Sequence, residues 1–379
     1  MKVLLFTLCL IYSIQAAVIV TNQQLEARGG KDEVITLAQD AKSGLTGALG
    51  SETLKKLCFT LRQREPYRIP SPSDQPRRGV VAAILRWHCP KTSIPTEAQK
   101  PRTLEEFFDQ SWVQEGEAEI LFMQRATRKG DRWSGHVAFP GGKNEKDETD
   151  EETVCREVRE EIGIDLKSDD YLLVGQLDER EISSIRDNKL LMILVPYVYL
   201  QLVPESPPFE LQTSEVAAVR WVPLSFFLSS QVLDYSPITE PLSIFRHMKR
   251  KWLKSLLNVM LGTISFTSID LPPTAASDNI FRLWGLTMGM TKDIVKLVDT
   301  KESFFYKLTT QSPRFSRVDI GWFTMLITYA KVYWKRICHK NVRLENEWDN
   351  IYWNSIRSAI AISMCFRACL LLLIIKRLR

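Results

Sequence analysis

Seven cysteines are spread through 379 residues without one C-x-x-C pair, which removes the usual thiolate framework of a zinc site. Internal repeats and low-complexity tracts are also lacking, so solenoid and fibrous designs are excluded. No Arg precedes Arg28, which argues against a mitochondrial transit peptide. The formal charge of +5 is absent from most of the chain. From Lys301 onward there are 14 Lys and Arg against 5 Asp and Glu, which leaves the first 300 residues slightly acidic. A nucleic-acid binder would carry its basic excess beside its working site, so this distribution favours a membrane surface over nucleic acid as the tail's partner. The apolar and charged fractions, 45% and 25%, are those of a globular protein large enough to bury a substantial core.

What the chain does have is concentrated in residues 139–164, FPGGKNEKDETDEETVCREVREEIGI. From Gly142 the fixed positions run G-x5-E-x7-R-E-U-x-E-E-x-G-U, with U aliphatic, and Glu148, Arg156, Glu157, Glu160, Glu161 and Gly163 fill them. Glu157, Glu160 and Glu161 stand at i, i+3 and i+4 and share one face of a predicted helix. No Lys is interspersed on that face, and Arg156 and Arg159 are expected on its flanks. Three crowded carboxylates repel, and a hard divalent cation with oxygen preference would turn repulsion into binding. Gly141 and Gly142 offer a turn open to positive φ before the helix, and Gly163 stands where a C-terminal cap belongs. Arg125, Arg128, Lys129 and Arg132 lie just upstream, and Arg suits phosphate by its forked geometry.

These residues resemble the signature of the Nudix hydrolases. The resemblance implies an α/β/α sandwich with a mixed sheet, a helical C-terminal extension, and hydrolysis of a phosphoanhydride in a nucleoside diphosphate derivative, dependent on Mg2+ or Mn2+. It also implies Glu157 and Glu161 as direct metal ligands and Glu160 as a further ligand. Glu148 would be an outer ligand, Arg156 a bidentate holder of a neighbouring carboxylate, and Gly142 a shaper of the loop. Arg125, Ala126, Gly135, Phe139, Pro140, Gly141 and Gly142 are similar to the added signature of the coenzyme A diphosphatase branch. Met123 departs from it where Thr is expected, the loop between Ala126 and Gly135 is one residue longer, and Gly130 stands at the inner Arg position with Arg132 displaced. Coenzyme A or its acyl esters are therefore the first substrate class, with nucleotide sugars and dinucleoside polyphosphates behind. A membrane-tethered module that binds nucleotide without hydrolysing it stays open. Arg125, Arg132, Gly141 and Gly142 are the expected phosphate-side contacts, and Glu148, Arg156 and Glu160 the expected catalytic set. Asp178, Glu179, Glu181 and Glu215 remain equal candidates for the base that activates water.

Apolar runs predict strands at residues 78–87, 118–125, 171–177, 190–200 and 216–222, and helix within 223–254 and after FRLWGLT at 281–287. Residues 89–117 read as a polar insertion loop and the Pro-rich residues 66–76 as a linker. Residues 1–17 resemble a secretory signal peptide or anchor, 18–77 an extension and linker, 78–300 the hydrolase domain, and 301–357 a basic aromatic helical extension. Residues 358–375 reach the minimum for a bilayer span, interrupted by Arg367, with an amphipathic or buried terminal helix as the rival reading. Read together, the two ends predict a membrane-associated protein of the secretory pathway with its domain in the lumen of the endoplasmic reticulum. Cys58 and Cys89 could pair there.

Overall fold

The computed structural model describes residues 50–72, 77–90, 100–128, 133–183, 190–229, 237–241, 250–273, 280–298, 303–309, 313–338 and 344–378. The signal-like segment and Arg132 lie outside them. In chain order the elements are α1 (Ser51–Gln63), β1 (Arg78–His88), α2 (Leu104–Phe108), β2 (Glu117–Arg125), β3 (Val137–Ala138), β4 (Gly141–Lys143), α3 (Asp150–Ile162), β5 (Tyr171–Gln176), β6 (Arg180–Ser183), β7 (Leu190–Gln201) and β8 (Val216–Pro223). They continue with α4 (Leu224–Leu228), β9 (Ile238–Pro241), α5 (Lys251–Leu261), β10 (Thr263–Phe266), β11 (Ser268–Asp270), β12 (Arg282–Trp284), α6 (Gly285–Lys296), α7 (Phe304–Thr309), β13 (Arg314–Phe315), α8 (Val318–Cys338) and α9 (Leu344–Leu378).

β1 organises the main sheet. It pairs in parallel with β7 from Arg78 opposite Ile193 to Leu85 opposite Leu200. It pairs antiparallel with β2 at one end and with β4 at the other. β5 and β6 add to β7, and β3 and β8 to β2, giving an eight-stranded mixed sheet. Alternation along β1 divides its side chains between two buried layers. Val80, Ala82 and Ile84 pack on Val154, Val158 and Ile162 of α3. Ala83, Leu85 and Trp87 face α1, α2 and α6. The sheet is thereby sandwiched between helices, as expected for an α/β/α arrangement, and α3 is fixed across β1 and β4.

Two expectations are corrected. Residues 89–117 hold α2 and the short 3-10 turn Ser111–Val113, whose Phe107, Phe108 and Trp112 are buried in an aromatic cluster. The Pro-rich segment is also not a free linker. Glu179 accepts from Ile69 N–H at 2.6 Å, Asp178 from Tyr67 N–H at 2.7 Å, and Arg78 reaches both Ile69 O and Ser71 Oγ at 3.2 Å. Cys58 and Cys89, whose pairing the sequence leaves open, are buried free thiols. Burial pushes the Cys58 thiol up to about 12.

Arg78 is the hub of that clasp, because its Nε–H is also shared between the two oxygens of Asp150 at 2.9–3.0 Å and its guanidinium pairs with Glu179, only 5% exposed. Removing the cation strands a buried charge. Arg78→Met should cost about 3 kcal/mol, read as a lower urea midpoint. Adding Glu179→Gln to it should restore part of the loss.

Candidate active site

α3 begins at a capping box in which Thr149 Oγ1 accepts from Glu152 N–H while the Glu152 carboxylate accepts from Thr149 N–H. It ends at Gly163, with φ of 77°. The carbonyls left over at that end are taken by a later loop: Glu210 N–H donates to Ile162 O at 3.1 Å and Gln212 N–H to Glu161 O at 3.0 Å. A Cβ on Gly163 would lie 2.7 Å from Glu210 Cβ, so the loop can come this close only to glycine. The consequence is that residues 210–215 are tethered to the acidic helix.

The carboxylates of α3 divide into three environments. Glu161 is 2% exposed and accepts Gly141 N–H at 2.7 Å. Burial raises its pKa from the ordinary 4.5 to about 8, with a further rise from the charge of Glu157. Glu157 is also raised, first by burial, and it presses on the other glycine. A Cβ at Gly142 would sit 2.3 Å from that carboxylate. Gly141 has φ of 145° and runs against Val80 O, so a side chain is excluded there as well. The glycine pair thus brings strand backbone against two acids that repel each other.

Glu148, by contrast, is locked. Arg156 donates Nε to Oε1 at 2.8 Å and an Nη to Oε2 at 3.0 Å, and Glu145 N–H and Thr153 Oγ1–H donate to Oε2 as well. The Arg156 guanidinium holds the Glu148 carboxyl well down, to about 2. Its acceptor sites are used within the protein, which makes it a pin between loop and helix. Arg156 also lies 3.1 Å from Glu157 and 3.2 Å from Glu160, so it does not remain on a flank.

Glu160 lies apart, its side chain 55% exposed. Among the described residues, no three His, Cys, Asp or Glu side chains converge as a metal-holding group. Glu157, Glu160 and Glu161 are therefore not gathered into one group of three: Arg156 lies against both Glu157 and Glu160, Glu160 is the exposed member, and Glu157 and Glu161 face the glycines. Those two do fit a hard divalent cation. A buried carboxylate with its pKa near neutrality, beside a second acid raised by burial, is relieved by a positive charge.

Of the four candidate bases, Asp178 and Glu179 belong to the clasp described above, and Glu181 is on β6 opposite Ile193. Glu215 is different: its charge is among those raising the pKa of both Glu157 and Glu161. It is held in place by Arg128, which donates to its Oε1 at 3.0 Å and to Ser214 O at 2.6 Å, and its carbonyl accepts Ala126 N–H at 2.7 Å. Spacing alone could not single it out. Arg125, at the end of β2, lowers the Glu161 pKa by its charge. His136 packs edge-on against Trp284 with ring centroids 4.8 Å apart.

Residues 111–239 match the NUDIX domain family model. An uncharacterized Schizosaccharomyces pombe protein is 31% identical over 206 residues, covering 53% of this chain and 57% of the relative. The Caenorhabditis elegans protein named peroxisomal coenzyme A diphosphatase ndx-8 is 35% identical over 99 residues, 26% of this chain and 38% of the relative. The chain thus spans less than two thirds of either relative's length. A crystal structure of a MutT/nudix family protein from Enterococcus faecalis covers 85% of this chain and 91% of its own, at 14% identity and a TM-score of 0.30, too low a likeness to argue from. The secretory-lumen expectation is corrected here: the relative with a named compartment is peroxisomal, and the signal-like segment lies outside the described residues.

The Glu161 pKa fixes a sign for pH dependence. A carboxyl raised in the folded state from 4.5 to about 8 favours folding fully below about 4.5, and that contribution is lost as pH rises through 8. In chelator, the wild-type melting temperature should fall relative to Glu161→Gln between pH 5 and 8. Added Mg2+ should close that gap. Parallel melting curves for the two proteins would refute the assignment.

Proposed function

We propose that this chain, whose residues 111–239 match the NUDIX domain family model, is a metal-dependent pyrophosphohydrolase acting on coenzyme A or its acyl esters. The observation that carries the proposal is the pair Glu157 and Glu161 set against the side-chain-free backbone of Gly141 and Gly142. Glu157 and Glu161 would hold Mg2+ or Mn2+, which when bound would supply Lewis-acid stabilisation of the charge that develops on a diphosphate. The chain's own residues do the rest. Arg156 and Glu148 fix the entry of α3, so that Glu157 keeps its position. Arg125 acts on the phosphate side, near enough for its charge to be felt by Glu161. Glu215, oriented by Arg128, accepts the proton of the attacking water. Arg128 is in this reading a positioning residue and not a phosphate contact. Glu160, more than half exposed, serves as an outer acid whose charge raises the Glu157 pKa.

The substrate class rests on the similarity to the C. elegans coenzyme A diphosphatase and on Arg125, Gly135 and the segment 139–142, which are similar to that branch's signature. The same relative supports a peroxisomal site of action.

Full-length protein with Mg2+ should convert coenzyme A to 4'-phosphopantetheine and adenosine 3',5'-bisphosphate, read by mass spectrometry. Glu157→Gln should lower kcat by about 100-fold or more while leaving nucleotide binding intact. Turnover of nucleotide sugars or dinucleoside polyphosphates alone would refute the substrate assignment. No turnover of any diphosphate, with binding retained, would identify a non-hydrolytic module.

A further inference from the structure

Three helices outside the catalytic site leave apolar faces uncovered. On α8, Trp322, Tyr329, Tyr333 and Trp334 are each 60% exposed or more. On α5, Trp252 and Val259 are each 65% exposed. α9 contributes the most apolar stretch of the described chain: within residues 351–377 an 18-residue stretch has a mean hydropathy of 2.3, long and apolar enough by composition to cross a membrane. Its first half is nonetheless part of the protein. Tyr352, Ile356 and Ile360 pack on Leu261, Ile264 and Ile320.

The start of α8, the end of α5 and the middle of α9 meet at one charged node. Arg367 of α9 donates Nε to Asp319 of α8 at 2.9 Å and an Nη to Met260 O at the end of α5, and Ser363 donates its hydroxyl to the same Asp319. Arg317 caps the neighbouring Val259 O. The one Arg in the apolar run is thus matched inside the protein. Past it, residues 368–375 project without a basic or acidic side chain, about 12 Å of helix against about 30 Å of hydrocarbon. That is too short to cross, and the segment before it is fixed to the domain.

The geometry points to a lipid bilayer as the occupant of this face, entered from one side only: α8 lies along one leaflet with its outer face down, the end of α9 past Arg367 is sunk obliquely into the hydrocarbon of that same leaflet, and the catalytic domain stays on the same side. Three observations favour lipid over a second copy of the chain. Leu370, Leu372, Leu373, Ile374 and Ile375 are all exposed, which places apolar surface all round the helix, whereas a dimer seam needs only a stripe. The run closes on Lys376 and Arg377, suited to reaching back to phosphate headgroups. The uncovered face of α8 is rich in Trp and Tyr, the residues favoured at the interface. This differs from a bilayer span over 358–375, and it does not depend on the hydrolase reading.

The test uses the full chain with a C-terminal epitope and phosphatidylcholine vesicles containing phosphatidylserine. The protein should float with the vesicles, and added protease should remove the epitope completely. Trp322→Asp with Tyr333→Asp should reduce flotation at least tenfold. So should Leu370→Asp with Leu373→Asp, with circular dichroism matching wild type in both cases. An epitope protected from protease would overturn the one-sided arrangement. A chain that stays out of the floating fraction, as monomer or dimer, would overturn lipid as the occupant.

Discussion

Everything at the site depends on one hydrogen bond and the repulsion it sits beside: Gly141 N–H donates to Glu161, which lies buried next to Glu157. A single neutral donor cannot offset the burial of two neighbouring carboxylates. Left to itself the arrangement is unfavourable, and this is why the pKa of both acids rises. A positive charge placed there would convert the cost into affinity. The sheet, the helix cap and the glycine pair are best understood as what keeps these acids from separating.

The surrounding fold resists separation at both ends of α3. At the start, Glu148 is gripped by Arg156, Thr153 and Glu145, so loop and helix move together. At the finish, the loop carrying Glu215 hydrogen-bonds the last carbonyls of the helix, which only Gly163 allows at that distance. Between the ends, Val154, Val158 and Ile162 anchor the helix to β1. Acidic and apolar positions therefore serve adjoining faces of the same thirteen residues, with Glu161 buried beside the apolar anchors.

Much of this could be read beforehand because it is local. β1, β2, β5, β7 and β8 fall within a residue or two of the apolar runs that predict them, and Gly163 caps the helix as its place in the sequence suggests. What was not legible depends on contacts between distant residues. Proline content suggested a linker at 66–76, but composition cannot reveal that Glu179 takes Ile69 N–H from 110 residues away. Residues 89–117 were judged by their polar majority, although FF and W within LEEFFDQSW already carried the signal of a buried turn. Helical-wheel reasoning set Arg156 to one side, yet a long guanidinium reaches across a turn to Glu157 and Glu160. Glu215 emerged only once the sheet brought β8 beside β2.

Cation binding is the property that Glu157 and Glu161 must show together. Titration of Mn2+ into the full-length protein, followed by the loss of free-ion electron paramagnetic resonance signal, measures this directly. One site should be seen in the wild type, with affinity at least tenfold weaker in Glu157→Gln and in Glu161→Gln. Equal Mn2+ binding by all three proteins would contradict the assignment of these carboxylates as the metal site.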